Sequence, residues 1–144
     1  MNFTVHSFPE KMGFGAEERS NYANVIFADL KNLSLDGPGV SRETYGAGET
    51  AAMKYCAELA KKEGLSSWYD EAANLVVELP GQDKSAPFII CGSHLDSVPQ
   101  GGNFDGAAGV VAGLIVLVRM KREGRVPPIS IRVMALRGEE SAWF

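Results

Sequence analysis

The sequence has no excess of positive charge, no paired-cysteine spacing, no apolar run long enough to cross a membrane, and only two histidines. Each shortage removes a class of function. Lys and Arg number 14 against 18 Asp and Glu, a net charge of -4, so no positive field exists to hold a phosphate backbone and nucleic acid is not an expected partner. The basic clusters that do occur, Lys61-Lys62 and Arg119 to Arg125, fall at the C-terminal ends of predicted helices, where cations complement the backbone dipole. Cys56 and Cys91 stand 35 positions apart without C-x-x-C spacing. No segment with a basic start and an apolar core precedes the first helix, and together these features point to a reducing cytoplasm. The most apolar run, Ala107 to Val118, is twelve residues long, against the roughly 20 that span a bilayer, so no membrane role is expected. Neither Gly37 to Gly48 nor Gly106 to Gly113 spells a nucleotide-binding glycine motif.

What is present is enough for one packed domain: 144 residues, 45% of them apolar. Tyr22, Val25, Ile26, Leu30 and Leu33 repeat at helical spacing within residues 17 to 35, and Ala52, Met53, Cys56, Leu59 and Ala60 do the same within Glu49 to Glu63. Gly37-Pro38-Gly39 and Gly64 stop these two helices. Cys56 therefore belongs to the core. Ser66 to Tyr69 and Leu75 to Leu79 are predicted as an antiparallel pair. Phe88 to Cys91 and Ile129 to Leu136 are continuous apolar runs, as expected of strands covered on both faces. The Asp105 to Glu123 helix lies between them, which makes a strand, helix, strand crossover with parallel strands and hence an α/β fold. Gly109 and Gly113 are expected to let that helix approach the sheet closely.

The chemistry concentrates at the ends of these core elements. His94 and Asp96 follow one strand, Glu139 and Glu140 follow the other, and Asp105 is expected to begin the intervening helix. Open α/β sheets bind ligands beyond the carboxyl ends of their strands. Neighbouring strands would bring all five residues to one edge, with His94, Asp105 and Glu140 pointing into one cleft. Imidazole and carboxylate together suit zinc, manganese or cobalt better than calcium or a copper thiolate centre. Adjacent glutamates allow a division of labour, one coordinating a metal while the other moves a proton. Asp96 is placed to orient the imidazole of His94. Gly101, Gly102 and Gly106 let the loop bend so that Asp105 reaches inward. His6 and Cys91 have no partners at ligand spacing.

Gly92-Ser-His-Leu-Asp-Ser-Val-Pro-Gln-Gly-Gly-Asn-Phe-Asp-Gly-Ala-Ala-Gly-Val110, with Arg137-Gly-Glu-Glu-Ser-Ala-Trp-Phe144, resembles the zinc-dependent amidohydrolases of the M20 metallopeptidase superfamily. The branch it is most similar to is the hydantoinase/carbamoylase group, which includes N-carbamoyl-L-amino-acid hydrolase and allantoate amidohydrolase, and the likeness runs from about Ala23 to Phe144. The resemblance implies a zinc-exopeptidase-like α/β/α catalytic domain with a mixed sheet. It further implies two divalent metal ions, zinc first and manganese or cobalt as alternatives. In such a site His94 binds one ion, Asp105 bridges both, Glu140 binds the other, Glu139 is the general base and Asp96 supports His94. The implied reaction is hydrolysis of a linear C–N amide in a small carbamoyl or ureido substrate, with an aminoacylase or dipeptidase activity as the alternative. Ser141 and the Arg137-Gly138 pair depart from the commoner family pattern, which suggests a subgroup. Family members are much longer, homodimeric, and supply two further metal-binding histidines. Residues 1–144 are therefore expected to be a truncated N-terminal part of the catalytic domain, without the lid and dimerisation domain. In isolation the chain is expected to be inactive, an inert metal-binding or interaction fragment being the reading from a different class.

Overall fold

The computed structural model describes residues 15–143; His6 lies outside the described residues. Helix α1 (Ala16–Ser34) buries Tyr22, Ile26 and Leu30, the stripe that its helical spacing predicts. A short hairpin follows, β1 (Leu35–Asp36) against β2 (Gly39–Val40), where the sequence read only as a glycine-rich loop. Helix α2 (Ala47–Lys62) buries Met53, Cys56 and Leu59 and carries Lys61 and Lys62 exposed in its last turn. Strands β3 (Ser66–Tyr69) and β4 (Leu75–Leu79) pair antiparallel as expected. Then come β5 (Ile89–His94), helix α3 (Ala107–Arg122) and β6 (Ile131–Leu136), and the described chain ends in a 3₁₀ turn at Ser141–Trp143.

The main sheet is mixed, in the order β3-β4-β6-β5, with β5 and β6 parallel and the other pairs antiparallel. Strand period 2 gives the sheet two faces of different character. Leu75, Val77, Leu79, Val133 and Ala135 point to one side and join the core with residues of all three helices. Helix α3 lies very close there: a Cβ on Gly113 would stand 2.8 Å from Val133 Cγ2, and one on Gly109 would stand 2.7 Å from Ser93 Cβ. The two glycines serve sheet packing, as expected of them.

The opposite face carries Trp68, Val76, Glu78, Ile90, Arg132 and Met134, in register across the four strands. No helix covers it among the described residues. Arg132 pairs with Glu78 at 2.7 Å and lays its guanidinium over Phe88, 3.7 Å from the ring centroid. The expectation that the 88–91 and 129–136 strands are covered on both faces is thereby corrected. Phe88, Ile89 and Ile90 are 46%, 52% and 48% exposed, because β5 is the sheet edge and one face of the sheet has no second layer. Boundaries also move: α2 begins at Ala47, β5 runs on to include His94, α3 begins at Ala107 with Asp105 outside it, and β6 begins at Ile131. No described helix is long and apolar enough to cross a membrane.

Candidate metal centre

The parallel pairing sets His94 opposite Leu136, so the residue ending β5 and the loop leaving β6 share one end of the sheet. His94 Nδ1 lies 3.1 Å from the carbonyl oxygen of Asp96 and 3.2 Å from its Oδ1. Both neighbours accept, so in the neutral imidazole Nδ1 carries the hydrogen and Nε2 keeps the lone pair. That Nε2 faces the Glu139 carboxylate at 3.6 Å. One donor atom each from His94, Glu139 and Glu140 lie within 4.8 Å of one another, and this is the cluster of metal-ligating side chains found among the described residues.

Asp105, expected among the ligands, stands outside that cluster but close to Glu140: hydrogen bonding with the Asp105 side chain, then burial and the Asp105 charge, raise the Glu140 carboxyl above the ordinary carboxylate range. It does not begin the helix, as the sequence suggested. It is presented by a tight turn in which the Ala107 N–H donates to the Asp105 carbonyl at 2.5 Å. Gly106, at φ +61°, forms the middle of that turn and lies against the imidazole of His94.

Asp96 is fully buried and acts as the hub. Its carboxylate accepts from Thr44 Oγ1 at 2.8 Å, Glu140 N at 2.8 Å and Glu139 N at 3.3 Å, in addition to its contact with His94. One carboxylate thus ties the imidazole to the backbone of both glutamates. Thr44 Oγ1 lies 3.2 Å from the Glu140 carbonyl as well, and Trp143 Nε1 donates to the Ser97 carbonyl at 2.7 Å. The donor chemistry fits a divalent cation: an oriented imidazole with a free nitrogen, beside carboxylates crowded enough to repel one another unless a proton or a cation lies between them.

Sequence reasoning missed the strap that holds these loops, residues 40 to 49. Arg42 is fully buried and donates from Nε to the Leu95 carbonyl at 2.6 Å, while its backbone N–H donates to Ser97 Oγ at 3.0 Å. Glu49, also fully buried, reaches Gly138 and Arg137 on the loop after β6. A charged residue in a glycine-rich loop carries no local sign that it will be buried. The only available signal was Glu49 in the first turn of a helix, which suggests a cap.

Residues 74–144 match Peptidase family M28. The chain is 40% identical over 106 residues to an N-carbamoyl-L-amino acid amidohydrolase of Geobacillus stearothermophilus, covering 74% of this chain and 26% of that protein. Allantoate amidohydrolase of Bacillus subtilis is 33% identical over 111 residues, 77% of this chain and 27% of its own length. A crystal structure of a hydantoinase/carbamoylase family amidase from Burkholderia ambifaria superposes with a TM-score of 0.81 at 28% identity, over 85% of this chain and 30% of that one. The chain thus spans between a quarter and a third of the length of these relatives.

Proposed function

Because this chain belongs to the hydantoinase/carbamoylase family, we propose that it carries part of the active site of a metal-dependent hydrolase cleaving a linear C–N amide bond, in an N-carbamoyl amino acid or a ureido compound such as allantoate. The observation that supports this most is the convergence of His94, Glu139 and Glu140 within 4.8 Å, with Nε2 of the imidazole left free by Asp96. His94, Asp105 and Glu140 would hold the cations, two in the complete site, zinc first and manganese or cobalt next. A bound divalent cation lowers the pKa of water toward about 7 and polarises the substrate carbonyl.

The remaining steps belong to the side chains. Glu139 is the more exposed of the pair and sits beside Nε2. It takes the proton from water as the water oxygen bonds the carbamoyl carbon, then delivers it to the leaving nitrogen as the C–N bond breaks. Asp96 keeps the imidazole tautomer and direction fixed while it also holds the amides of Glu139 and Glu140.

The test is titration of the chain with zinc, manganese and cobalt together with hydrolysis assays on N-carbamoyl amino acids, allantoate and dipeptides. Glu140→Gln should weaken zinc binding, while Glu139→Gln keeps zinc and lowers any turnover by about 10² to 10⁴-fold. Failure of the unaltered chain to bind zinc, manganese or cobalt, or indifference of both variants, rejects the reading. Zinc binding without turnover identifies a metal-binding fragment. Cleavage of dipeptides alone favours the peptidase alternative that the Peptidase family M28 match keeps open.

A further inference from the structure

We propose that Glu49 is a positioning residue for the paired glutamates, a buried staple that fixes the loop leaving β6 against the start of α2; the inference rests on the metal-site reading above and extends it to a residue outside that cluster. The Glu49 side chain is fully buried. Its Oε1 accepts from Gly138 N at 3.1 Å and its Oε2 from Tyr45 N at 2.7 Å. Arg137 Nε stands 3.5 Å from Oε2, and Arg137 Nη2 donates to Thr50 Oγ1, one residue along the same helix, at 2.6 Å. The backbone N–H of Arg137 donates to Asn74 Oδ1 at 2.9 Å. Residues 137 and 138 are therefore held from three directions just before the chain enters Glu139 and Glu140.

A simpler role is available, since a glutamate in the first turn often caps its own helix by accepting a backbone N–H from just before it. The Tyr45 contact is of that kind. A cap alone would leave Oε1 to water, however, and a buried carboxylate needs partners for both oxygens. Here the second oxygen is spent on another loop, and the charge is balanced by Arg137 of that same loop. The grip is continuous with the Asp96 hub: Glu49 holds position 138, and Asp96 holds the amides of 139 and 140. Releasing the first should loosen the second.

Glu49→Gln tests this at constant volume, because an amide can accept at one end only and sets its NH₂ against a backbone N–H at the other. In the whole chain we expect amide exchange at Glu140, which Glu49 does not touch, to speed at least tenfold while Val77 and Val133 in the sheet keep their protection. Zinc affinity should fall by about 10 to 100-fold, the usual cost of losing a group that orients metal ligands. Unchanged exchange at Glu140 and unchanged zinc affinity, with the sheet still protected, overturn the proposal and leave Glu49 a helix cap. If Glu49→Gln unfolds the sheet, the same two readouts in Thr50→Val decide, since that change removes only the hydroxyl that holds Arg137. If the unaltered chain binds no zinc, manganese or cobalt, the metal reading fails by itself, and exchange at Glu140 still decides the positioning role.

Discussion

Replacing Gly106 by Ala is the sharpest test of how the site is built, because the added methyl strains the backbone at positive φ and strikes the imidazole. Gly106 stands at φ +61°, ψ -51° in a three-residue turn of the strained, positive-φ hand. Holding a residue with a Cβ there costs about 1–3 kcal/mol. The methyl carbon would also meet Cε1 and Nδ1 of His94 at 2.5 Å and Nε2 at 2.6 Å. Carbon contacts relax to about 3.5 Å or more, so the ring must retreat by about 1 Å. A retreat of that size displaces Nε2 and disturbs the contact of Nδ1 with Asp96 Oδ1, which at 3.2 Å is already long. Gly106→Ala is therefore expected to lower unfolding free energy by about 1–3 kcal/mol in urea titration and to weaken zinc binding by about tenfold or more. Gly102→Ala is the control, since a Cβ there meets nothing within 4 Å. If Gly106→Ala matches Gly102→Ala in both measurements, the packing of the turn against His94 does not govern the site.

Two further outcomes follow from burial. A thiol reagent at pH 8 should modify exposed Cys91 rapidly and leave Cys56 untouched until unfolding, because burial pushes the Cys56 thiol up to about 12; fast labelling that survives Cys91→Ser would refute this. An acid whose folded pKa is raised keeps its proton in the folded state after the unfolded chain has released it near pH 8.5. That thiol should therefore make stability fall as pH rises from about 8.5 toward 12, and Cys56→Ala should flatten the decline in urea midpoints. The bare sheet face and β5 edge, with Phe88, Ile89 and Ile90 all about half exposed, should make the chain self-associate in sedimentation, and Ile90→Lys should reduce that association; a monomeric unaltered chain would contradict the expectation.

Much of this molecule is legible along the chain, because the signals are local. Helical spacing of Tyr22, Ile26 and Leu30 marks α1, the apolar stripe ending at Gly64 marks α2, and two apolar runs around a helix imply the parallel β5 and β6. The placement of His94 and of Glu139-Glu140 at strand ends brings them to one edge as soon as those strands are neighbours. Other features depend on contacts between distant segments. A run such as Phe88 to Cys91 reads the same at the centre of a sheet as at its edge, since apolar sequence reports the preference for burial and not whether a covering layer exists. The meeting of Arg42 with Leu95, of Thr44 with Asp96 and of Glu49 with Gly138 spans 53, 52 and 89 positions. No periodicity encodes such pairs. They form because buried charges and backbone donors must find partners wherever the packed chain brings them, and only the tertiary structure decides which partners those are.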